Sequence, residues 1–406
     1  MTARRRGACP GLADPLPTGD GLLARLAVTR AIPLDAFAAL CRAARAHGNG
    51  IIEITARGSI QVRGLTAQSA PAFAAAVEAL DVVDAAGGRV LSNPLAGLDP
   101  RELFDVSEIA YRLREALVES GLAAKLAPKV SIVIDGGGAL HLDAIPCDIR
   151  LRAKCVSGGV HFQIAPGTDG AIAAALGTID AEHAVEAVLV FLKAIAKHGP
   201  MARGRDVLPL RLKVQEGSKG ARSPAEPIGT HRLRDGSLAL GLGLPFGHSD
   251  ADALQDLLAE ARRADTTLVR PAPGRALLLI GVPPPERSSL VAAAERLGII
   301  TAAADPRRRV LACAGAPACA AAKIPTRVLA PAIAAVLDEQ TTLHISGCAK
   351  GCAHPGPAGL TIVGIDGKCG LVRNGRAQDE PTEFVAVGDL PKYFARRRAL
   401  QEAAHG

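Results

Sequence analysis

Four cysteines near the end of the chain stand at spacings that suit chemistry: Cys313 and Cys319 in CAGAPAC (313–319), Cys348 and Cys352 in GCAKGCAHPG (347–356). The pattern is C-x5-C, a long gap, then C-x3-C. Zinc knuckles take C-x2-C, and these pairs are spaced too widely for them. An iron–sulfur cluster is bulkier and accepts thiolates arriving from separate loops. Both stretches are dense in Gly, Pro and Ala, small residues that let backbone amides approach a sulfide face. Lys350, between two of the thiols, would offset the charge of a cluster bound by four thiolates. The expectation is a [4Fe–4S] cluster on Cys313, Cys319, Cys348 and Cys352.

The other cysteines read as structural. Cys41 falls on the apolar repeat Phe37, Leu40, Cys41, Ala44 of a helix. Cys9, Cys147, Cys155 and Cys369 are isolated. His344 and His354 flank the second thiol pair; a hydrogen-bonded histidine near a loop is the favoured reading, with a ligand or proton donor as the alternative.

The elements that must position those thiols come from a chain of 406 residues, 49% hydrophobic and 21% charged, which is globular composition with room for several modules. With two Tyr, eight Phe and no Trp, the core must be built from Leu, Val, Ile and Ala. The apolar runs, such as ALLLIGV (276–282), are far shorter than a membrane span of about 20 residues. No signal peptide is read behind the basic start MTARRRGACPG, so the cytoplasm is the expected location. A net charge of +7 asks for an anionic partner. Stacking aromatics and a basic reading helix are missing, which argues against nucleic acid and for a small polyanion.

The chain repeats itself. TGDGLLARLAV (18–28), PLDAFAALCRAARAHG (33–48) and GIIEITARGSIQVRGL (50–65) recur about 215 residues later as LRDGSLALGLGL (233–244), SDADALQDLLAEARRA (249–264) and TTLVRPAPGRALLLIGV (266–282). Each copy reads strand, helix, strand pair, with Asp35 and Asp250 as expected N-caps. A fainter repeat likens KVSIVIDGGGALHL (129–142) to LTIVGIDGKCGLVR (360–373), each read as a strand, an Asp-Gly turn and a return strand. Helices are expected over 181–199 and 330–339. The polar, breaker-rich VQEGSKGARSPAEP (214–227) is the best boundary between the halves. The organisation is A–B–A′–B′, an α+β architecture divided as A 10–75, B 85–215, A′ 226–285 and B′ 288–406.

The duplication and the C-x5-C…C-x3-C pattern resemble the sirohaem-dependent nitrite and sulfite reductases. That resemblance implies two ferredoxin-like half-domains about a pseudo-twofold axis, two flanking α/β domains, and a [4Fe–4S] cluster beside a tetrapyrrole. EITARGSIQVRG resembles the family strand that lines the tetrapyrrole cavity, which implies that Arg57 and Gln61 face the ligand. GGRVLSNPLAGLDP is similar to the following segment and points to Arg89. LAPKVSIVID resembles the active-site lysine strand, which puts Lys129 in the cavity. Cys352 stands where the reductases bridge cluster and sirohaem iron.

The departures choose a branch. Sulfite reductases place a second lysine two positions on, where this chain has Ser131, and six-electron reduction of an oxyanion needs a dense cationic cage. The chain is also short for a reductase. RGACPGLADPLPTGDGLLARL resembles the opening of the precorrin-3B synthase family, the monooxygenases of aerobic cobalamin biosynthesis. Membership implies hydroxylation of precorrin-3A at C20 with O2 and closure of a γ-lactone. Lys129 and Arg57 are then the expected catalytic residues. Arg57, Gln61, Arg63, Arg89, Lys129, Arg150 and Arg152 are candidate contacts to substrate carboxylates, which suit the arginine fork. The family implies a mononuclear non-haem iron as well, whose ligands the sequence does not name; His141 with Asp143 and His344 with His354 lack a completed two-histidine, one-carboxylate set. GLGLPFG (241–247) is not a dinucleotide loop, so electrons are expected from a separate donor, NADH acting through a reductase or ferredoxin. The alternatives are a sirohaem nitrite or sulfite reductase and a cluster-bearing electron carrier.

Overall fold

The computed structural model of the protein describes residues 10–84, 88–167, 176–207, 222–338 and 340–405; Cys9 and most of the 214–227 linker lie outside them. Half-domain A runs β1 (Leu16–Thr18), β2 (Gly21–Leu26), β3 (Ile32–Pro33), α1 (Leu34–His47), β4 (Ile51–Ile54), β5 (Ile60–Leu65) and α2 (Ser69–Glu78). Domain B follows with β6 (Val90–Ser92), α3 (Ser107–Glu119), α4 (Leu122–Lys125), β7 (Ile132–Asp135), β8 (Ile149–Val156), β9 (Gly159–Pro166), β10 (Gly177–Ile179) and α5 (Ala184–Lys197). Half-domain A′ holds β11 (Gly229–Arg232), β12 (Leu238–Gly243), β13 (His248–Asp250), α6 (Ala251–Arg263), β14 (Leu268–Ala272), β15 (Ala276–Val282) and α7 (Arg287–Arg296). Domain B′ closes the chain with β16 (Val310–Ala312), α8 (Thr326–Ala334), β17 (Leu343–Ser346), β18 (Ala358–Ile365), β19 (Lys368–Gly375), β20 (Glu383–Ala386) and α9 (Leu390–His405).

The two half-domains exchange a strand. The sheet of A runs β1-β2-β5-β4-β13 and that of A′ runs β11-β12-β15-β14-β3, so the strand before each helix pairs in the other half's sheet. Alternation along IIEI and IQVRGL buries Ile52, Ile54, Ile60 and Val62 beneath α1. Phe37, Leu40, Cys41 and Ala44 of α1 meet Leu254, Leu257 and Leu258 of α6 in one shared core. That core also takes Val77 and Val82, and Leu290, Ala294 and Ile299 from α7 and beyond. The last helices, α2 and α7, thus pack on half-domain residues. Asp250 caps α6 by accepting from the Asp252 amide at 2.8 Å, whereas α1 begins at Leu34 with Pro33 as its cap and Asp35 inside the first turn.

B and B′ share a topology. In B, β6, β7 and β8 are parallel and β9 and β10 antiparallel; in B′, β16, β17 and β18 are parallel and β19 and β20 antiparallel. The fainter sequence repeat is thereby corrected: residues 129–142 hold strand β7, between β6 and β8, and a loop, while 360–373 form the β18–β19 hairpin. Asp135 turns the chain into a loop, since its Oδ1 accepts from the Gly137 amide at 2.9 Å and from Asn93 Nδ2 at 3.0 Å. Helix α8 begins at Thr326, before the expected 330, with Pro331 inside it. Among the described residues no helix is long and apolar enough to cross a membrane.

Candidate active site

The two hairpin turns of the half-domains meet at the centre of the molecule. Gly274 donates its amide to Ala56 O at 3.0 Å, and a Cβ on Gly58 would stand 2.9 Å from the Ala272 carbonyl carbon. Around this meeting point all four domains open onto one cavity of about 1310 Å³, above the ~300–1,000 Å³ usual for small-molecule pockets. Half-domain A contributes Arg25, Glu53, Arg57, Gln61 and Arg63; B contributes Arg89, Lys129 and Ser131; A′ contributes Arg275; B′ contributes Arg327, Lys350 and the four cysteines.

The thiols arrive from the loops that follow β16 and β17. Cys313 Sγ accepts from the Gly347 amide at 3.2 Å and faces Thr326 Oγ1 at 3.9 Å, which ties the first loop to the second. A Cβ on Gly347 would lie 2.6 Å from that of Ala322 and 3.5 Å from Cys313 Sγ, so only glycine admits this approach. Burial raises the Cys352 thiol, and the proximity of Cys313, Cys348 and Cys319 raises it further, while Lys350 opposes them. Ionising Cys352 among three neighbouring thiols calls for a cation beside it. Donor set, small-residue cradle and position on one cavity wall fit a group that thiolates hold.

The cationic residues divide by what they already bind. Arg57 Nη1 donates to Pro146 O at 2.6 Å, and Arg89 Nη1 donates to Ala127 O at 2.8 Å. Lys129 is exposed on the cavity wall, with the buried Ser131 lining it two positions on. Gln61 fits between Glu53 and Arg25, with its nitrogen donating to Glu53 Oε2 at 2.9 Å and its oxygen accepting from Arg25 Nε at 3.1 Å. Arg63 does not serve as an open carboxylate clamp. It is 4% exposed, forms a fork on Asp20 at 2.9–3.0 Å, lies 3.8 Å from Glu53, and donates to Ala318 O. Arg150 and Arg152 are corrected more strongly, because neither is among the residues lining the cavity. Arg150 donates to Leu142 O at 2.8 Å and Ile145 O at 2.7 Å, and Arg152 pairs with Asp143. Alternation along β8 faces both guanidinium groups onto the loop after β7.

That loop brings Asp135, His141 and Asp143 together, a set that sequence pairs left incomplete. It does not fit a bound iron. Arg222 pairs with both carboxylates and Arg152 with Asp143, while His141 Nε2 lies 2.8 Å from Ser223 O. Burial would raise the Asp143 carboxyl, but the hydrogen bonds from Arg222 and Arg152 prevail and hold it at about 2. Two guanidinium groups already fill the carboxylate faces that a metal would need.

Arg25, Arg275 and Arg327 were missed from sequence. The duplication carried a signal for Arg275, which sits in the A′ hairpin turn corresponding to the A turn of Arg57. His344 departs from its favoured reading: it is 0% exposed, both ring nitrogens lack a hydrogen-bond partner among the described residues, and its ring stands edge-on to His354 at 5.8 Å. Burial, then His354 and Arg275, lower it to about 4.

Comparison with known proteins agrees with this architecture. Residues 14–80 match the family model described as the nitrite/sulfite reductase ferredoxin-like half domain. The chain superposes on the structure of Mycobacterium tuberculosis NirA protein with a TM-score of 0.72 over 92% of this chain and 80% of that one, at 18% identity. It is 25% identical to the ferredoxin–nitrite reductase of Synechococcus elongatus, covering 77% of this chain and 70% of that protein. With a precorrin-3B synthase from Sinorhizobium sp it shares 39% identity across 98% of its own length and 89% of the relative's. Likeness of that extent, on a fold with duplicated ferredoxin-like halves, settles the kinship: the chain belongs to the precorrin-3B synthase family.

Proposed function

We propose that the protein is a monooxygenase that hydroxylates precorrin-3A at C20 with O2 and closes a γ-lactone, in aerobic cobalamin biosynthesis. The observation that carries this reading is one cavity larger than a common small-molecule pocket, lined by arginines, two lysines and four cysteines. Cys313, Cys319, Cys348 and Cys352 would hold a [4Fe–4S] cluster, which supplies one-electron transfer when bound.

The chain's own residues bind and orient the substrate. Arg57 of A and Lys129 of B, both lining the cavity, offer cations to the peripheral carboxylates, and Arg57 is aimed by its bond to Pro146 O. Arg89 is steadied by the backbone carbonyls of the 123–130 segment. Gln61, set between Glu53 and Arg25, orients a polar edge of the macrocycle. Lys129, exposed to the cavity, is the group placed to deliver a proton to an oxygen atom of the substrate. With Ser131 two residues on, the wall is less cationic than one built for oxyanion reduction. A separate protein supplies the electrons.

The test is the visible spectrum and tetrapyrrole content of anaerobically purified protein, followed by incubation with precorrin-3A and O2. A broad shoulder near ~400 nm without an extractable tetrapyrrole, and conversion to the hydroxylactone, are expected. A sharp Soret band with stoichiometric sirohaem would make the protein a nitrite or sulfite reductase.

A further inference from the structure

We infer that the two half-domains clamp the cysteine loops, one arginine from each: Arg63 of A fixes the C-x5-C loop and Arg275 of A′ fixes the C-x3-C loop, as positioning residues for the cluster. The inference rests on the cluster assignment above.

Arg63 leaves β5 almost fully buried and donates to Ala318 O, the carbonyl immediately before Cys319. Asp20, in the β1–β2 turn, holds the guanidinium in a two-bond fork, Nε to Oδ2 at 3.0 Å and Nη2 to Oδ1 at 2.9 Å. A fork of that kind fixes the plane of the guanidinium and hence the direction of its third bond. The turn itself lies against the loop. A Cβ on Gly19 would come within 2.8 Å of the Ala320 amide nitrogen and 3.0 Å of the Cys319 carbonyl carbon, and nearer still to Pro317 O. TGDG (18–21) is therefore a docking turn: Gly19 lets the backbones touch and Asp20 aims the arginine. A second link crosses the same joint, the ion pair of Arg327 on α8 with Glu53 on β4.

Arg275 acts on the other loop. Its backbone has φ +62°, which an arginine adopts at some cost and which turns the side chain out of the β14–β15 hairpin. Its Nη2 donates to Ala353 O at 3.1 Å, the carbonyl immediately after Cys352. Gly247 makes room, since a Cβ there would stand 2.7 Å from Arg275 Cδ. The two contacts fall on carbonyls adjoining one cysteine of each pair. Partners one shell beyond the ligands commonly set how firmly a metal group is held.

The test compares cluster loss to a chelator under anaerobic conditions, together with the reduction potential, for the wild type, Arg63→Gln, Asp20→Asn, Arg275→Gln, Arg63→Lys and, as control, Arg234→Gln in the corresponding A′ turn. Arg63→Gln and Arg275→Gln should each speed cluster loss by about tenfold or more and shift the potential. Asp20→Asn should have a smaller effect, Arg63→Lys should restore part of the loss, and Arg234→Gln should match the wild type. Hydrogen exchange of the 316–322 amides in the cluster-free variants reads the clamp without the cluster, and should rise in Arg63→Gln. Wild-type cluster lifetime and exchange in both glutamine variants would overturn the clamp alone. A wild-type chain that takes up no cluster would overturn the clamp and the cluster assignment together.

Discussion

Domains B and B′ are built on the same strand order, yet the loops after their first two strands carry opposite chemistry. In B these loops present Asn93, Asp99 and Glu102, then Asp135, His141 and Asp143; in B′ they present Cys313 and Cys319, then Cys348 and Cys352. The B side closes on itself. Asn93 donates to Asp135, Arg222 and Arg152 neutralise the carboxylates, and Asp99 caps the Ala139 and Arg101 amides. The B′ side remains open onto the cavity and crowds four thiols, with the Lys350 cation favouring ionisation of Cys352. One frame thus makes a charge-compensated structural joint in one copy and a set of four thiols open to the cavity in the other.

The half-domains treat the two sides alike. Arg57 reaches from the A hairpin turn to the loop after β7, and Arg275 from the A′ turn to the loop after β17. The β1–β2 turn of A lies on the C-x5-C loop, while in the β11–β12 turn of A′ Arg234 donates from its amide to Leu98 O at 2.9 Å and from Nε to Asp99 O at 3.2 Å. Gly19 stands where A′ has Arg234, so the turn of A lies against the thiol loop by backbone alone, where the turn of A′ adds a side-chain bond to its backbone contact.

The largest effect should separate the two sides outright. Cys319→Ser is expected to abolish brown colour and activity together, whereas Cys147→Ser, on the loop of B, should keep both; absorbance of anaerobically reconstituted protein reads the difference. A fully active, colourless Cys319→Ser variant would sink the cluster assignment. Next in size is the charge network of B. Arg222→Ala leaves the fully buried Asp135 without its cation and should cost about 3 kcal/mol in denaturant unfolding. An unchanged midpoint would mean that Asn93 and the loop amides suffice.

The subtlest effect, a slope rather than a loss, concerns acid. His344, at about 4 when folded and near 6.5 unfolded, binds its proton more readily in the unfolded chain. Its contribution to stability is therefore complete above about 6.5 and is lost as pH falls toward and through 4. Asp143, at about 2 when folded and 3.8 unfolded, keeps its contribution until pH falls below 3.8. B′ should open before B on acidification, as read by hydrogen exchange. His344→Leu should flatten the slope of stability between pH 4 and 6.5 by at most about 1.4 kcal/mol per pH unit. Simultaneous opening of the two domains would contradict this order.

Much of this was legible along the chain. The cysteine spacing, the repeat of turn, helix and strand pair, and the TARGSIQ strand depend on local order and pattern, which sequence carries directly. Arg63, Arg150 and Arg152 were misread as clamps for the same reason: an arginine on a strand shows its type, while its partner comes from elsewhere. Asp20 lies 43 residues before Arg63 and Arg222 lies 79 after Asp143, separations that no local pattern spans. The likeness of 129–142 to 360–373 failed because an Ile-rich strand ending in Asp-Gly serves a parallel strand and a hairpin equally well.

By itself, then, the sequence determined the composition of the core, the duplicated elements and the set of four thiols, since each follows from residue type and period. Only the tertiary structure decided that the halves exchange β3 and β13, that Arg275 lines the same cavity as Arg57, and which cations are engaged by the protein's own oxygens. The physical reason is that a charge in a folded chain is defined by its neighbours, and those neighbours are brought together by long-range packing.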